Sequence, residues 1–293
     1  MKAKTENRIV NIVVTVIMVI AVLICVYPLW YALINALNDA NDIADNGFIY
    51  LFTRVFTLKN LSLVFEEKTL LYAFGVTAAR TIIGTVLSVA FTAIVSYPLS
   101  RGYLVGRKIY MRIGVITMYF YGGLIPTFLV YNQLRLIDTF WVYIFPTMFS
   151  FFNAVIFINF FNSIPAALEE AAKIDGADDW KVFSKIMMPL SKPVVATIAL
   201  FVGVNQWNSW FDSAYFTTSP ILATLQQILY GIISQSQGAV IAAQRLGASN
   251  INLNLIDAIK YATMVISILP IACIYPFLQK YFVGGMMVGA VKE

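Results

Sequence analysis

Apolar residues in this chain gather into long runs, and six of the runs are long enough to matter. They lie at about Ile9–Leu33, Ala73–Leu99, Ile113–Val130, Trp141–Phe161, Val194–Phe211 and Tyr261–Phe282. A helix rises about 1.5 Å per residue, so about 20 apolar residues cross a hydrocarbon core about 30 Å thick. The pattern predicts an all-α integral membrane protein of six transmembrane helices. It forms one transmembrane domain over residues 1–293, with core spans at about 73–282. The fifth run is the shortest and the most polar. Lys2, Lys4 and Arg8 precede the first run as they would in a signal peptide. The run is longer than a typical signal core, and no small-x-small cleavage site follows, so it reads as a retained span. Pro28, near its far end, predicts a kink.

With six spans, alternate connections share a side. One side holds Lys2, Lys4, Arg8, Arg101, Arg107, Lys108, Arg112, Lys173, Lys181, Lys185, Lys192, Lys280 and Lys292, and the other holds Arg54, Lys59, Lys68, Arg135, Arg245 and Lys260. The excess of basic residues marks the first side, with both termini, as cytoplasmic. The cytoplasmic segments then include a loop at 163–192 and a tail at 283–293. Segments 35–72 and 212–260 lie outside. Both outer segments exceed about 15 residues, a length usually functional or disordered. The second is rich in Gln, Ser, Gly and Asn, as in Ser234–Gly238 and Gly247–Asn254. There is no internal repeat and no low-complexity tract.

Composition supports lipid as the solvent. The chain is 60% apolar and 12% charged, where a soluble domain carries about a quarter of its residues as charged. It has no histidine, which removes the commonest general base, metal ligand and pH switch. Cys25 and Cys273 both sit in apolar runs, without metal-ligand spacing, and read as small apolar filler. The net charge of +5 does not indicate nucleic acid, because the basic residues cluster at the ends of the runs. No G-x-x-x-x-G-K-[ST] phosphate loop is present, so ATP is not bound by this chain.

The loop between the fourth and fifth runs, Ser163 to Pro189, reads as two short helices. Pro165 suits a first helical turn and Gly176 the position just past a helix end. Leu168, Ala171, Ala172 and Asp175 fall at helical spacing, giving a narrow face of small residues that another surface can approach closely. Asp178 or Asp179 caps a second helix with an apolar stripe of Trp180, Phe183, Ile186 and Met187, and Pro189 marks its end. Such a loop either docks on a cytoplasmic partner or lies as an amphipathic segment on the lipid surface.

This loop resembles the cytoplasmic motif of permease subunits in binding-protein-dependent ABC importers: Glu-Ala-Ala, three residues, Gly, nine residues, Ile, one residue, Leu-Pro. Here the pattern is Glu170-Ala171-Ala172, Gly176, Ile186 and Met188-Pro189, with Met188 in place of the usual Leu. Asp175-Gly176-Ala177 resembles the carbohydrate branch. Tyr97-Pro98-Leu99-Ser100-Arg101 looks like the family's exit from the second span, and Trp207-Asn208 like a pair common in the fifth. The tail from Tyr281 to Lys292 is similar to the endings of maltose-type MalG subunits. The chain as a whole resembles permeases for complex or acidic oligosaccharides such as alginate.

The resemblance implies a type I ABC importer permease fold in the inner membrane of a bacterium. The implied partners are a paralogous permease, two ATP-binding cassette subunits that hold ATP-Mg, and an extracytoplasmic substrate-binding protein. The loop helix would sit in a cleft on an ATPase and move with it, switching the pore by alternating access. Glu170 would make a charged contact there. Ala171, Ala172 and Gly176 would permit close docking, with Asp175, Ile186 and Pro189 completing the motif. Gly289, Ala290, Val291 and Lys292 of the tail would reach between the two ATPases.

Polar groups within a span usually face a cavity or a partner. Arg80 is the one formal charge well inside a run. It reads either as a pathway contact for an anionic sugar or as a structural ion pair. Asn205, Gln206, Trp207, Asn208 and Trp210 supply the hydrogen bonds and aromatic faces that bind sugars, or an ordinary interfacial belt. Tyr119, Tyr121, Tyr131 and Asn153 are further pathway candidates. Gly122-Gly123 and Pro126 mark a kink. Segment Ser234–Asn254 is either a contact for the binding protein or a linker. A secondary transporter would need titratable groups in its spans, and the six runs contain no Asp or Glu. A membrane enzyme would need a nucleophile–base pair or metal cluster, and none is visible. A channel or structural subunit would need no ATPase partner.

Overall fold

A computed structural model of the chain describes residues 2–66, 68–234, 259–274 and 276. Among these residues the structure is helical, apart from turns and one isolated bridge between Asn38 and Phe56. Helix α1, Lys2–Ala36, runs without a break through Pro28. Helix α4, Lys68–Ser100, runs through Pro98. These two are long and apolar enough to cross a membrane on their own. Along α1 every side chain from Val10 to Trp30 is exposed, as expected of a helix whose neighbours are lipid or another subunit.

The third run is not one helix, as the hydropathy pattern predicts, but two. Helix α5, Arg107–Tyr119, ends at Phe120, which is extended, and α6, Leu124–Gln133, begins after Gly123. Gly123 has φ +83°, a conformation that glycine adopts without a Cβ clash. Pro126 then falls in the first turn of α6, where a missing N–H is harmless.

The fourth run opens as two 3₁₀ turns, Phe140–Tyr143 and Phe145–Thr147, before α7, Phe151–Ser163, at a bend of 47°. The fifth is α11, Lys192–Asn208, shorter than predicted because Ser209 turns extended. If each bent pair counts as one span, up to four spans are present among the described residues by length and composition. Helix α13, Ile259–Ile274, covers part of the sixth run, and the rest lies largely outside the described residues.

The chain divides into two compact units. One contains the residues up to Leu70 with 229–270, and the other Leu71–Ile228 with the residues after Pro270. In the first, the outer segment predicted as a long loop is ordered. It contains α2, Ala40–Asn46, and α3, Lys59–Glu66. Three buried asparagines hold it to the end of α1. Asn35 donates to Ile49 O and accepts from Ile49 N, Asn38 Oδ1 accepts from the N–H groups of Arg54 and Val55, and Asn60 donates to Ala36 O and Asn38 O. Asn60 thereby satisfies carbonyls at the end of α1, while Asn35 and Asn38 satisfy backbone groups of the segment that folds against it.

The core of the second unit is built from four elements. Val89, Ala93 and Tyr97 of α4 meet Phe157 and Phe161 of α7, Val182, Phe183 and Met187 of the loop, and Val194, Ile198 and Val202 of α11. The loop therefore packs into the same core as the apolar helices and is not a free surface segment.

Candidate functional site

The loop forms α8, Ala166–Ile174, with Pro165 as its N-cap. Gly176 follows with φ +80°, and the N–H groups of Asp175, Gly176 and Ala177 return to Ala171 O, Lys173 O and Ala172 O. The end carbonyls of α8 are satisfied as in a glycine C-cap. Asp178 caps α9, Asp179–Val182, accepting from Lys181 N at 2.7 Å.

The second helix does not stop at Pro189. It passes through a π turn, Phe183–Met187, into α10, Met188–Leu190. The N–H of Met188 reaches back five residues to Phe183 O, which fits the arrival of Pro189 and its absent donor. The break comes at Ser191, where the axis turns by 79° into α11. The predicted stripe also shifts. Phe183 and Met187 are buried with Val182, Ile186 is half-buried, and Trp180 is exposed.

Helix α8 presents two different faces. Leu168, Glu170, Ala171, Ile174, Asp175 and Gly176 are exposed, and Trp180 of α9 adds an exposed indole. Ile174 is 85% exposed, which marks an apolar surface made to meet something. On the inward face Ala172 packs on the core and Glu169 is buried. Glu169 pairs with Arg101 at 3.1 Å and Lys173 at 3.0 Å, and Tyr97 Oη donates to it at 3.5 Å. The bond to Glu169 raises the Lys173 ammonium above its usual range. Asp179, 3.2 Å away, adds to this, against some desolvation.

A second polar cluster sits near the other end of α4. Arg80 is 1% exposed. Its Nε and Nη2 donate to Gln206 Oε1 at 3.1 and 2.9 Å, and its Nη1 to Asp212 Oδ1 at 3.0 Å. The guanidinium lies over the Tyr143 ring, 4.5 Å from its centre. Gln206 donates onward to Thr147 Oγ1, and Tyr143 Oη to Leu222 O at 2.6 Å. Asp212 and Ser213 belong to α12, Phe211–Phe216. The cluster therefore ties α4, the 3₁₀ turns, α11 and α12 together, and Arg80 is matched by a carboxylate.

Beside it lies a cleft of about 520 Å³, lined by Thr147, Phe149, Ser150, Phe152, Asn153, Phe201, Val202, Asn205 and Gln206. It brings together three predicted pathway residues, Asn153, Asn205 and Gln206. Trp207 is buried with its ring edge-on to Phe74, and Asn208 is exposed. Trp210 lies edge-on to Phe211 and tilted against Tyr215, and Tyr131 packs on Phe216. Tyr119 is exposed, and Tyr121 lines a separate apolar groove of about 1130 Å³ with Tyr110 and Phe151. These six do not line the cleft.

Sequence reading missed Thr147, Phe149, Ser150 and Phe152, because the fourth run scores as uniform apolar span, and Phe201, one apolar residue among many in the fifth. Pro146 was the available signal that the backbone of the fourth run breaks. It also missed Glu169 and Asp212, whose partners lie far away in the chain. Segment Ser234–Asn254 beyond Ser234, and the tail residues Gly289 to Lys292, lie outside the described residues. Among the described residues no three of His, Cys, Asp or Glu gather to hold a metal.

No family model matches the chain. LplC of Bacillus subtilis (strain 168) is 37% identical over 265 residues, covering 90% of this chain and 88% of that protein. The polygalacturonan/rhamnogalacturonan transport system permease protein YtcP of the same strain is 34% identical over 287 residues, covering 98% and 99%. Among solved structures, the fold is similar to a chain of a bacterial ABC transporter involved in the import of the acidic polysaccharide alginate. The TM-score is 0.83 at 29% identity, over 94% of this chain and 98% of that one.

Proposed function

Since the chain belongs to the permease subunits of sugar ABC transport systems, we propose that it carries an acidic oligosaccharide across the bacterial inner membrane, driven by ATPases that dock on α8. It is a transport subunit and not an enzyme. The observation that carries the docking reading is the outward face of α8. Leu168, Ala171 and Ile174, beside Glu170 and Asp175, form an exposed apolar strip on a helix whose other face is locked into the core. An amphipathic segment lying on lipid would bury its apolar face in the membrane. Here that side of the helix carries carboxylates, which an anionic lipid surface repels.

In this reading the six runs are six spans with both termini in the cytoplasm. A paralogous permease completes the pore, and two ATP-binding subunits hold ATP-Mg. An external binding protein delivers the sugar, and the tail, Gly289 to Lys292, reaches between the ATPases. ATP drives alternating access because it binds one global state better than the other. The cleft beside α11 is the sugar contact, with Asn153 and Asn205 as hydrogen-bonding groups and Phe149, Phe152 and Phe201 as stacking faces, while the Gln206 amide is already taken up by Arg80, Tyr143 and Thr147. We assign the acid groups to the amides of Asn153 and Asn205, because Asp212 already matches the Arg80 charge.

The acidic character rests on YtcP and the alginate transporter, whose polymers carry carboxylates. Liposomes holding the permease pair and its ATPases, with the binding protein supplied outside, test it directly. Oligogalacturonides should be taken up and should stimulate hydrolysis, whereas maltotriose should do neither. Equal uptake of the two sugars would remove the acidic substrate from the account. Glu170→Lys and Gly176→Pro should each lower uptake about tenfold or more while hydrolysis continues. Wild-type coupling in both would remove the docking role of α8.

A further inference from the structure

The docking role uses the outward face of α8 and leaves its inward face unexplained. That face carries one buried carboxylate, Glu169, set among groups from three parts of the chain. Arg101, the residue after α4, faces it at 3.1 Å. Arg101 also lies over the Tyr97 ring at 4.9 Å, and its Nη2 reaches Met187 Sδ at 3.6 Å. Tyr97 is edge-on to Phe161 of α7 and tilted against Phe183 of the π turn. Lys173 and, through it, Asp179 complete the charge on the α8 side. The other inward contact of α8 is Ala172, whose methyl can slide over apolar neighbours. A buried ion pair whose carboxylate also accepts from Tyr97 Oη resists such sliding, because separating it leaves charge unpaired out of water.

Arg80, 21 residues earlier on α4, is fixed in the same manner to Gln206 and Asp212. At 1.5 Å per residue Arg80 stands about 30 Å along α4 from Ser100, its last residue, which Arg101 follows; that is close to the thickness of a hydrocarbon core. We infer that Glu169 is a positioning residue: it fastens the docking helix to α4, so that α4 acts as a strut carrying displacement of α8 to the cluster around Arg80. This inference rests on the proposed ATPase docking. A strut of this kind needs to be held at two separated points, and one arginine-centred cluster lies within α4 at Arg80 and another just past its end at Arg101.

The test uses the complete complex in liposomes, with Cys25 and Cys273 replaced by alanine and Ile221→Cys as reporter. Ile221 is exposed and adjoins Leu222, which accepts the Tyr143 hydroxyl. The rate of labelling by a membrane-impermeant maleimide is compared without nucleotide and with ATP plus vanadate. With Glu169 intact the rate should change between the two states. Glu169→Gln should shrink that change about tenfold while hydrolysis stays within about twofold of wild type, since docking is untouched. Glu169→Asp, which keeps the charge, should retain most of the change. Full transmission in Glu169→Gln, or equal loss in the Gln and Asp variants, overturns the inference. If the reporter does not respond to nucleotide even with Glu169 present, ATP-driven switching itself fails and the strut falls with it.

Discussion

Glu169 and Glu170 are neighbours in the chain, and the 3.6-residue period of a helix sends them about 100° apart. Glu170 was legible in the sequence because it opens a motif with a fixed spacing. Glu169 was not, since its partners Tyr97 and Arg101 lie about seventy residues away and no local pattern connects them. Arg80 followed the same course. It stood out as a lone cation in an apolar run, and its counter-ion, Asp212, was read as the first residue of an outer loop. Removing one side of such a pair leaves a buried charge uncompensated. Asp212→Ala should therefore lower stability by about 3 kcal/mol, visible as a reduced denaturation temperature in detergent. Unchanged stability would mean that Gln206 and Tyr143 suffice for Arg80.

Titration should matter little near neutrality. Asp138 has φ +58°, and its carboxylate accepts from the N–H groups of Ser219 and Thr218, which hold it below the usual carboxylate range. A depressed acid contributes stability that is present above its ordinary pKa and lost as pH falls through the lowered one. Lys173, raised by Glu169, contributes stability that is present below its ordinary pKa and lost as pH rises through the raised one. Both windows lie away from pH 7, and there is no histidine. The denaturation temperature should be flat from about pH 5.5 to about 8.5, and a midpoint near pH 6.5 would contradict this.

At the scale of elements, hydropathy located the helices and missed their breaks. It sums apolar side chains and is blind to the backbone. So the kink marked by Gly122-Gly123 and Pro126 in Ile113–Val130 is a full break between two helices, and the fourth run hid two 3₁₀ turns around Pro146. Those breaks are functional in the present account, because they turn Thr147 and Ser150 toward the cleft. Close packing between elements was equally invisible. Gly114 of α5 sits so near Phe151 of α7 that an added Cβ would meet the ring at 2.0 Å. Gly114→Ala should cost about 1–3 kcal/mol through overpacking. Gly75→Ala, on α4 with open space around its Cβ position, should be neutral or gain up to about 1 kcal/mol from helix propensity. Thermal denaturation of the two purified variants separates packing from propensity.

For the whole molecule, the sequence was most informative where the environment is simplest. Lipid demands long apolar helices, so a membrane role was readable from composition, and among the described residues two of the six runs stand as helices long enough to cross on their own. The segment at 35–72 was not readable, because its order depends on Asn35 and Asn38 filling backbone valences of Ile49, Arg54 and Val55, and on Asn60 filling those of Ala36 and Asn38. Orientation rests on the distribution of basic residues. Val105, which is 90% exposed in the Arg101–Arg112 connection, should as cysteine escape an impermeant maleimide in intact cells, while Ile221→Cys should react. The most direct test of the central claim is cross-linking from Ala171→Cys, in a chain lacking Cys25 and Cys273, in inside-out membrane vesicles containing the assembled transporter. The account predicts a cross-link to an ATP-binding subunit that nucleotide state modulates. Labelling of that cysteine from outside intact cells, with no ATPase captured, would contradict it.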